Sequence, residues 1–106
     1  MLDIDLEGFW LNLPEATSRA SSMKEQLKDN GLDDSYTRIE GIRTSEDIAA
    51  QYGLKQGEWG AWQGWLKMLE CASLSSHEFV HLLEDDTEIT SSFLELMNWS
   101  ESHDYL

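Results

Sequence analysis

Hydrophobic and polar positions along the chain follow two periods. Residues 8–14, Gly-Phe-Trp-Leu-Asn-Leu-Pro, are a short apolar run closed by proline, which predicts a strand. In residues 15–31, Ala20, Met23 and Leu27 recur at helical spacing and Gly31 supplies a stop, which predicts a helix. Residues 35–42 alternate Tyr36, Arg38 and Glu40 against Thr37 and Ile39, the period of a second strand. Residues 44–53 predict a short helix, with Thr44 or Ser45 as cap, Glu46 and Asp47 in the first turn and Gly53 at its close. Residues 57–75 predict the strongest helix. There Trp62, Trp65, Leu66, Leu69 and Ala72 form a stripe expected to pack into the core rather than to serve, with Trp59, as a sugar-stacking platform. Gly60 and Gly64 each cost about 1 kcal/mol inside a helix, so they are expected to mark close packing or the helix start. A last helix over 91–99 opens on a Ser92-x-x-Glu95 capping box, and residues 100–106 are expected to fray.

Residues 75–90, Ser-Ser-His-Glu-Phe-Val-His-Leu-Leu-Glu-Asp-Asp-Thr-Glu-Ile-Thr, fit two incompatible patterns. As a helix capped by Ser75 and Glu78, they bring His77 and His81 to one face. His77-Glu78-x-x-His81 then matches a zinc peptidase, with two imidazole ligands, Glu78 as general base and Glu101 or His103 near the third position. As a strand, residues 79–83 deliver Glu84, Asp85 and Asp86 at the carboxyl end of a sheet. A hard cation such as Mn2+ or Mg2+ is held in such places, bridging carboxylates to a diphosphate. The plain alternative is a solvated acidic loop. The strand gives an α/β domain with a small, largely parallel sheet, and the helix gives a mostly α domain.

Composition narrows the function classes. The 106 residues suit a single domain, and 41% of them are hydrophobic. The net charge of −14 argues against nucleic acid and anionic lipid as partners and favours solubility. It also makes Arg19, Arg38 and Arg43 conspicuous as anion contacts. No apolar run reaches membrane-spanning length and the acidic start does not fit a signal peptide, so a cytoplasmic setting is expected. A single cysteine, Cys71, allows no internal disulfide and is expected to be a buried thiol.

The order of four patches carries a resemblance. Residues 9–19 pair a hydrophobic strand with Asn12-Leu13 and, a few residues on, Arg19. Residues 36–42 end a strand in Glu40-Gly41. Residues 57–70 open on Gly57-Glu58, and residues 78–90 join an apolar strand to Glu84-Asp85-Asp86. In that order and spacing the chain resembles glycosyltransferase family 25, the lipopolysaccharide and collagen galactosyltransferase-like family. The resemblance implies a Rossmann-like sheet of the GT-A type, a nucleotide-sugar donor such as a UDP-sugar, a glycan acceptor and a divalent metal, Mn2+ or Mg2+. It implies Asn12, Leu13, Arg19 and Asp85 on the donor side, Glu84 and Asp86 on the metal, and His77 and His81 as incidental. Arg19 has support of its own, because the first turn of a helix after a strand favours anions.

Two departures qualify what the resemblance implies. Ala61, Gly64 and Trp65 stand where the family has Cys, Ser and His, which points to an altered donor site or an inactive relative. The chain also stops soon after the acidic triplet, whereas a complete GT-A enzyme continues for a stretch of similar size that carries the acceptor pocket and the catalytic base. No residue of this chain is assigned as that base. The expectation is therefore a truncated donor-binding half. Its alternatives are a non-catalytic relative that binds or forms a homodimer through a sheet edge or the Trp-rich helix, and a small zinc peptidase.

Overall fold

The computed structural model describes residues 5–41, 46–93 and 95–96. Arg43, Thr44, Ser45, Glu101, His103 and the tail 100–106 lie outside the described residues. Six elements follow in order: β1 (Leu6–Asn12), α1 (Thr17–Asp29), β2 (Tyr36–Glu40), α2 (Glu46–Gln51), α3 (Gln56–Ser73) and β3 (Phe79–Glu84). The three strands form one parallel sheet in the order β2-β1-β3. The fold is α/β, as the strand reading of residues 79–84 requires. Residues 91–93 and 95–96 are helical, within the last helix that the sequence predicts.

Strand order explains the layering. The chain moves from β1 to β2 on one side, then crosses back over β1 to reach β3 on the other. Right-handed crossovers of parallel strands put the two connections on opposite faces. One core accordingly joins Leu6 and Trp10 of β1 and Leu83 of β3 to Met23 and Leu27 of α1, closed by Leu32 and Ile89. The other joins Phe9, Ile39 and Met68, with Leu11, Val80 and Leu82 at its rim. β1 is buried on both faces and from Gly8 to Leu11 reads as an apolar run, as a central parallel strand does. Gly31 and Gly53, at φ 68° and 70°, end α1 and α2 in the left-handed conformation that glycine adopts without a side-chain penalty.

α3 packs differently from the expected stripe. Gly64 meets β1 so closely that a Cβ there would lie 2.7 Å from a Leu11 methyl, and Met68 is fully buried beside it. Trp62, Leu66 and Leu69 point outward instead. They are 56%, 42% and 52% exposed. The physical reason is that α3 is apolar on two faces, and the glycine face allows the closer approach to the sheet. Trp65 lies between the two, half-buried at the rim of the second core. Cys71 is half-buried rather than fully buried, against the same core.

One row of residues crosses the whole sheet. Gly8 of β1 is opposite Tyr36 of β2 and opposite His81 of β3. The Tyr36 ring lies across the bare glycine, and its hydroxyl meets His81 Nδ1 at 2.8 Å. Phe93 stacks on the imidazole at 4.9 Å between centroids. Burial lowers the His81 pKa and pushes the Tyr36 phenol well above its ordinary range. A histidine depressed in the folded state contributes stability that is present above its unfolded value and lost as the pH falls through it. Urea unfolding is therefore expected to show stability falling between about pH 7 and pH 5. The fall should be shallower in His81→Gln, which keeps an acceptor for the phenol but does not titrate there. Equal slopes for the two chains would show that His81 is not the group responsible.

Candidate site at the carboxyl edge of the sheet

The carboxyl ends of β1 and β3 converge on Asn12, which is only 2% exposed. Its Nδ2 donates to the Asp85 carboxylate at 2.7 Å and to the Ala16 carbonyl at 3.1 Å. Its Oδ1 accepts from Arg38 Nε at 3.0 Å, and Arg38 Nη2 donates to the Asn12 carbonyl at 3.3 Å. Two acceptors and one donor around the amide leave one self-consistent orientation. Asn12 thus ties the tip of the central strand to both neighbouring strands and to the start of α1.

Local chemistry sets the approach of each segment. Pro14 occupies the second position of a turn in which Ala16 N–H donates to the Leu13 carbonyl at 3.1 Å, and α1 begins immediately after it. Ala16 at the cap position has no side chain to close that end of α1, and the first turn holds no acid, an arrangement that suits an anion. Arg19 stands in this first turn, largely exposed, with its guanidinium 3.6 Å from Asp85. Across from it, Glu84 to Thr87 form a turn closed by Thr87 N–H donating to the Glu84 carbonyl at 3.1 Å. Gln26 of α1 holds the segment that follows, accepting from Ile89 N–H at 2.8 Å and donating to the Thr87 carbonyl at 3.4 Å.

The turn separates the three acids. Glu84 falls on the α3 side, where its Oε1 accepts from Trp65 Nε1 at 2.9 Å. Asp85 falls on the α1 side, with Asn12 and Arg19. Asp86 is exposed and, with Asp85, lines an open depression of about 670 Å³ between α1 and residues 85–89. Arg19, Asp29 and Glu88 are also in its wall, so four carboxylates face one guanidinium. A bare polyanion is unfavourable there without an accompanying cation. Among the described residues no three His, Cys, Asp or Glu side chains are grouped as a metal cage.

The structure therefore brings Asn12, Arg19 and Asp85 together and leaves two expected site residues apart. Leu13 is partly exposed and its methyl packs where a Gly41 side chain would be. Glu84 is held by Trp65 on the opposite face from Asp85. His77 and His81 do not share a helix face. His77 precedes β3 and its Nδ1 meets Asp5 at 2.6 Å, while His81 is inside the strand with Tyr36. The Asp5 carboxyl is held below its usual range, first by the His77 hydrogen bond and then by the Glu78 N–H. Arg38 has a place in the site that its sequence position alone did not assign. Its signal was the alternation of β2, which sets it on the same face as Tyr36.

No helix among the described residues is long and apolar enough to cross a membrane. No family model, no curated protein and no solved structure matches the chain.

Proposed function

We propose that the chain is the donor side of a GT-A-like glycosyltransferase, binding the diphosphate of a nucleotide sugar, such as a UDP-sugar, for transfer to a glycan hydroxyl. The observation that carries this reading is the pairing of opposite electrostatic demands at one sheet edge. The acid-free first turn of α1 with Arg19 suits phosphate oxygens, and the acidic tip of β3 suits a cation. Mg2+ binds through one or two carboxylates completed by waters and phosphates, so a full protein cage is not needed. Asp86 and Asp85 would hold the metal, with Glu84 available only if it leaves Trp65. When bound, the metal would neutralise charge on the leaving diphosphate. Arg19 would orient the phosphates, and Asn12 would keep Asp85 in position. The setting on this reading is the cytosol, in keeping with the unpaired Cys71.

Melting curves with Mn2+, with UDP and with both test the proposal. Both together, at ten times the dissociation constant, are expected to raise the Tm by at least about 5 °C, more than the two separate shifts combined. Arg19→Ala and Asp86→Asn should abolish the joint effect without lowering the starting Tm. A second reading, a non-catalytic relative, is favoured by the Trp65 bond that keeps Glu84 away from its neighbours. Absence of a joint shift at millimolar ligand would decide for it.

A further inference from the structure

A surface helix ordinarily turns charge outward and buries one apolar face. α3 does not. Its Gly64 and Met68 face meets the sheet, yet Trp62, Leu66 and Leu69 stand exposed on the other side. Trp59, Trp62, Leu66, Leu69 and Ser73 are spaced 3, 4, 3 and 4 residues apart, the a and d positions of a heptad. Such a seam is shaped for another helix. Tyr52, in the turn just after α2, widens it, exposed itself and stacked on Trp59 at 4.5 Å between centroids.

Charge selects the partner. Residues 59–76 contain one lysine and one glutamate, Lys67 and Glu70, so this stretch is neutral while the chain carries −14. Lys67 is turned toward the sheet, donating to the Glu40 carbonyl at 3.3 Å. A basic partner would be drawn to the acidic remainder of the surface, whereas two acidic copies meet at least cost along the neutral seam. We infer that α3 pairs with α3 of a second copy of this chain about a two-fold axis, the helices antiparallel. An antiparallel pair sets the bulky Trp59 and Trp62 of one copy against Ser73 and Leu69 of the other, and it aligns the helix dipoles favourably. A parallel pair would place indole on indole. The exposed side chains of the seam, Trp62, Leu66 and Leu69 with Tyr52 beside them, make a patch smaller than the 800 Å² or so per partner of a standard interface, so a weak dimer is expected, with a dissociation constant on the order of 1–100 μM.

Sedimentation equilibrium on the full chain tests this. The wild type is expected to show monomer and dimer in that concentration range. The dimer should tighten as salt rises from 20 to 500 mM, because screening relieves the repulsion between acidic copies. Leu66→Glu and Leu69→Lys should each weaken it more than tenfold although they change charge in opposite senses, and Trp62→Gln should do so with no change of charge. All three positions are exposed in the single chain, so circular dichroism and melting temperature should stay at the wild-type values. A wild type that stays monomeric at 500 μM overturns the inference. So does a dimer that survives all three substitutions, which would locate the contact elsewhere, for example on the outer edge of β3.

Discussion

An Asn12→Asp chain is expected to be about 4 kcal/mol less stable than the wild type at pH 7. The side chain it replaces is almost fully buried and gives its two N–H hydrogens to Asp85 and the Ala16 carbonyl. Aspartate supplies neither hydrogen. It sets a second carboxylate where the amide nitrogen stood, 2.7 Å from an oxygen of Asp85. Carboxylates at that distance do not both ionise readily, so the folded state takes up a proton more easily than the unfolded chain. The sign follows from linkage. The deficit is full at neutral pH and shrinks as the pH falls toward the ordinary carboxylate range. Urea unfolding followed by circular dichroism at a series of pH values would measure both. A loss below about 1 kcal/mol, or one independent of pH, would mean that the strand tips are held by something other than Asn12.

Gly8→Ala is expected to cost about 3 kcal/mol, although glycine to alanine in extended backbone usually gains stability. Gly8 is not needed for a positive φ, since only Gly31 and Gly53 adopt one among the described residues. It is needed for space, because its Cβ would lie 2.2 Å from two carbons of the Tyr36 ring. That ring is buried, so moving it strands a phenol and an imidazole that now bond to each other. A double-mutant cycle isolates the cause. In a Tyr36→Val background the same methyl should cost less than about 1 kcal/mol. Additive costs would place the strain away from Tyr36.

The elements were legible where one property dominated. β1 and β2 show in apolar runs and alternation, and the glycine stops end α1 and α2 where expected. Residues 79–84 were ambiguous because six apolar-rich residues suit a strand or a helix turn equally. Pairing with β1, 73 residues away at Leu6 and Phe79, decides the matter. The apolar stripe of α3 is visible in the sequence, but most of it faces away from the sheet. Periodicity identifies a face without identifying what covers it, and the space-saving Gly64 was the better guide to the sheet. The partners of Asn12 lie 26 and 73 residues off, at Arg38 and Asp85, beyond the reach of local pattern. The triplet looked like one group in sequence. A turn at Glu84–Thr87 distributes it over two faces.

The strand order has a consequence for how the chain folds. Every pairing in the sheet is parallel, so no strand meets its partner through a hairpin. β1 is synthesised first of the three, yet its second edge stays open until Phe79–Glu84 has emerged. At about 5–20 residues per second the nascent chain carries the sticky Phe9-Trp10-Leu11 segment uncovered for several seconds. High contact order then slows the final closure. The same central position that shields β1 from solvent in the finished fold makes it the segment most exposed to chaperones, and to aggregation, during synthesis.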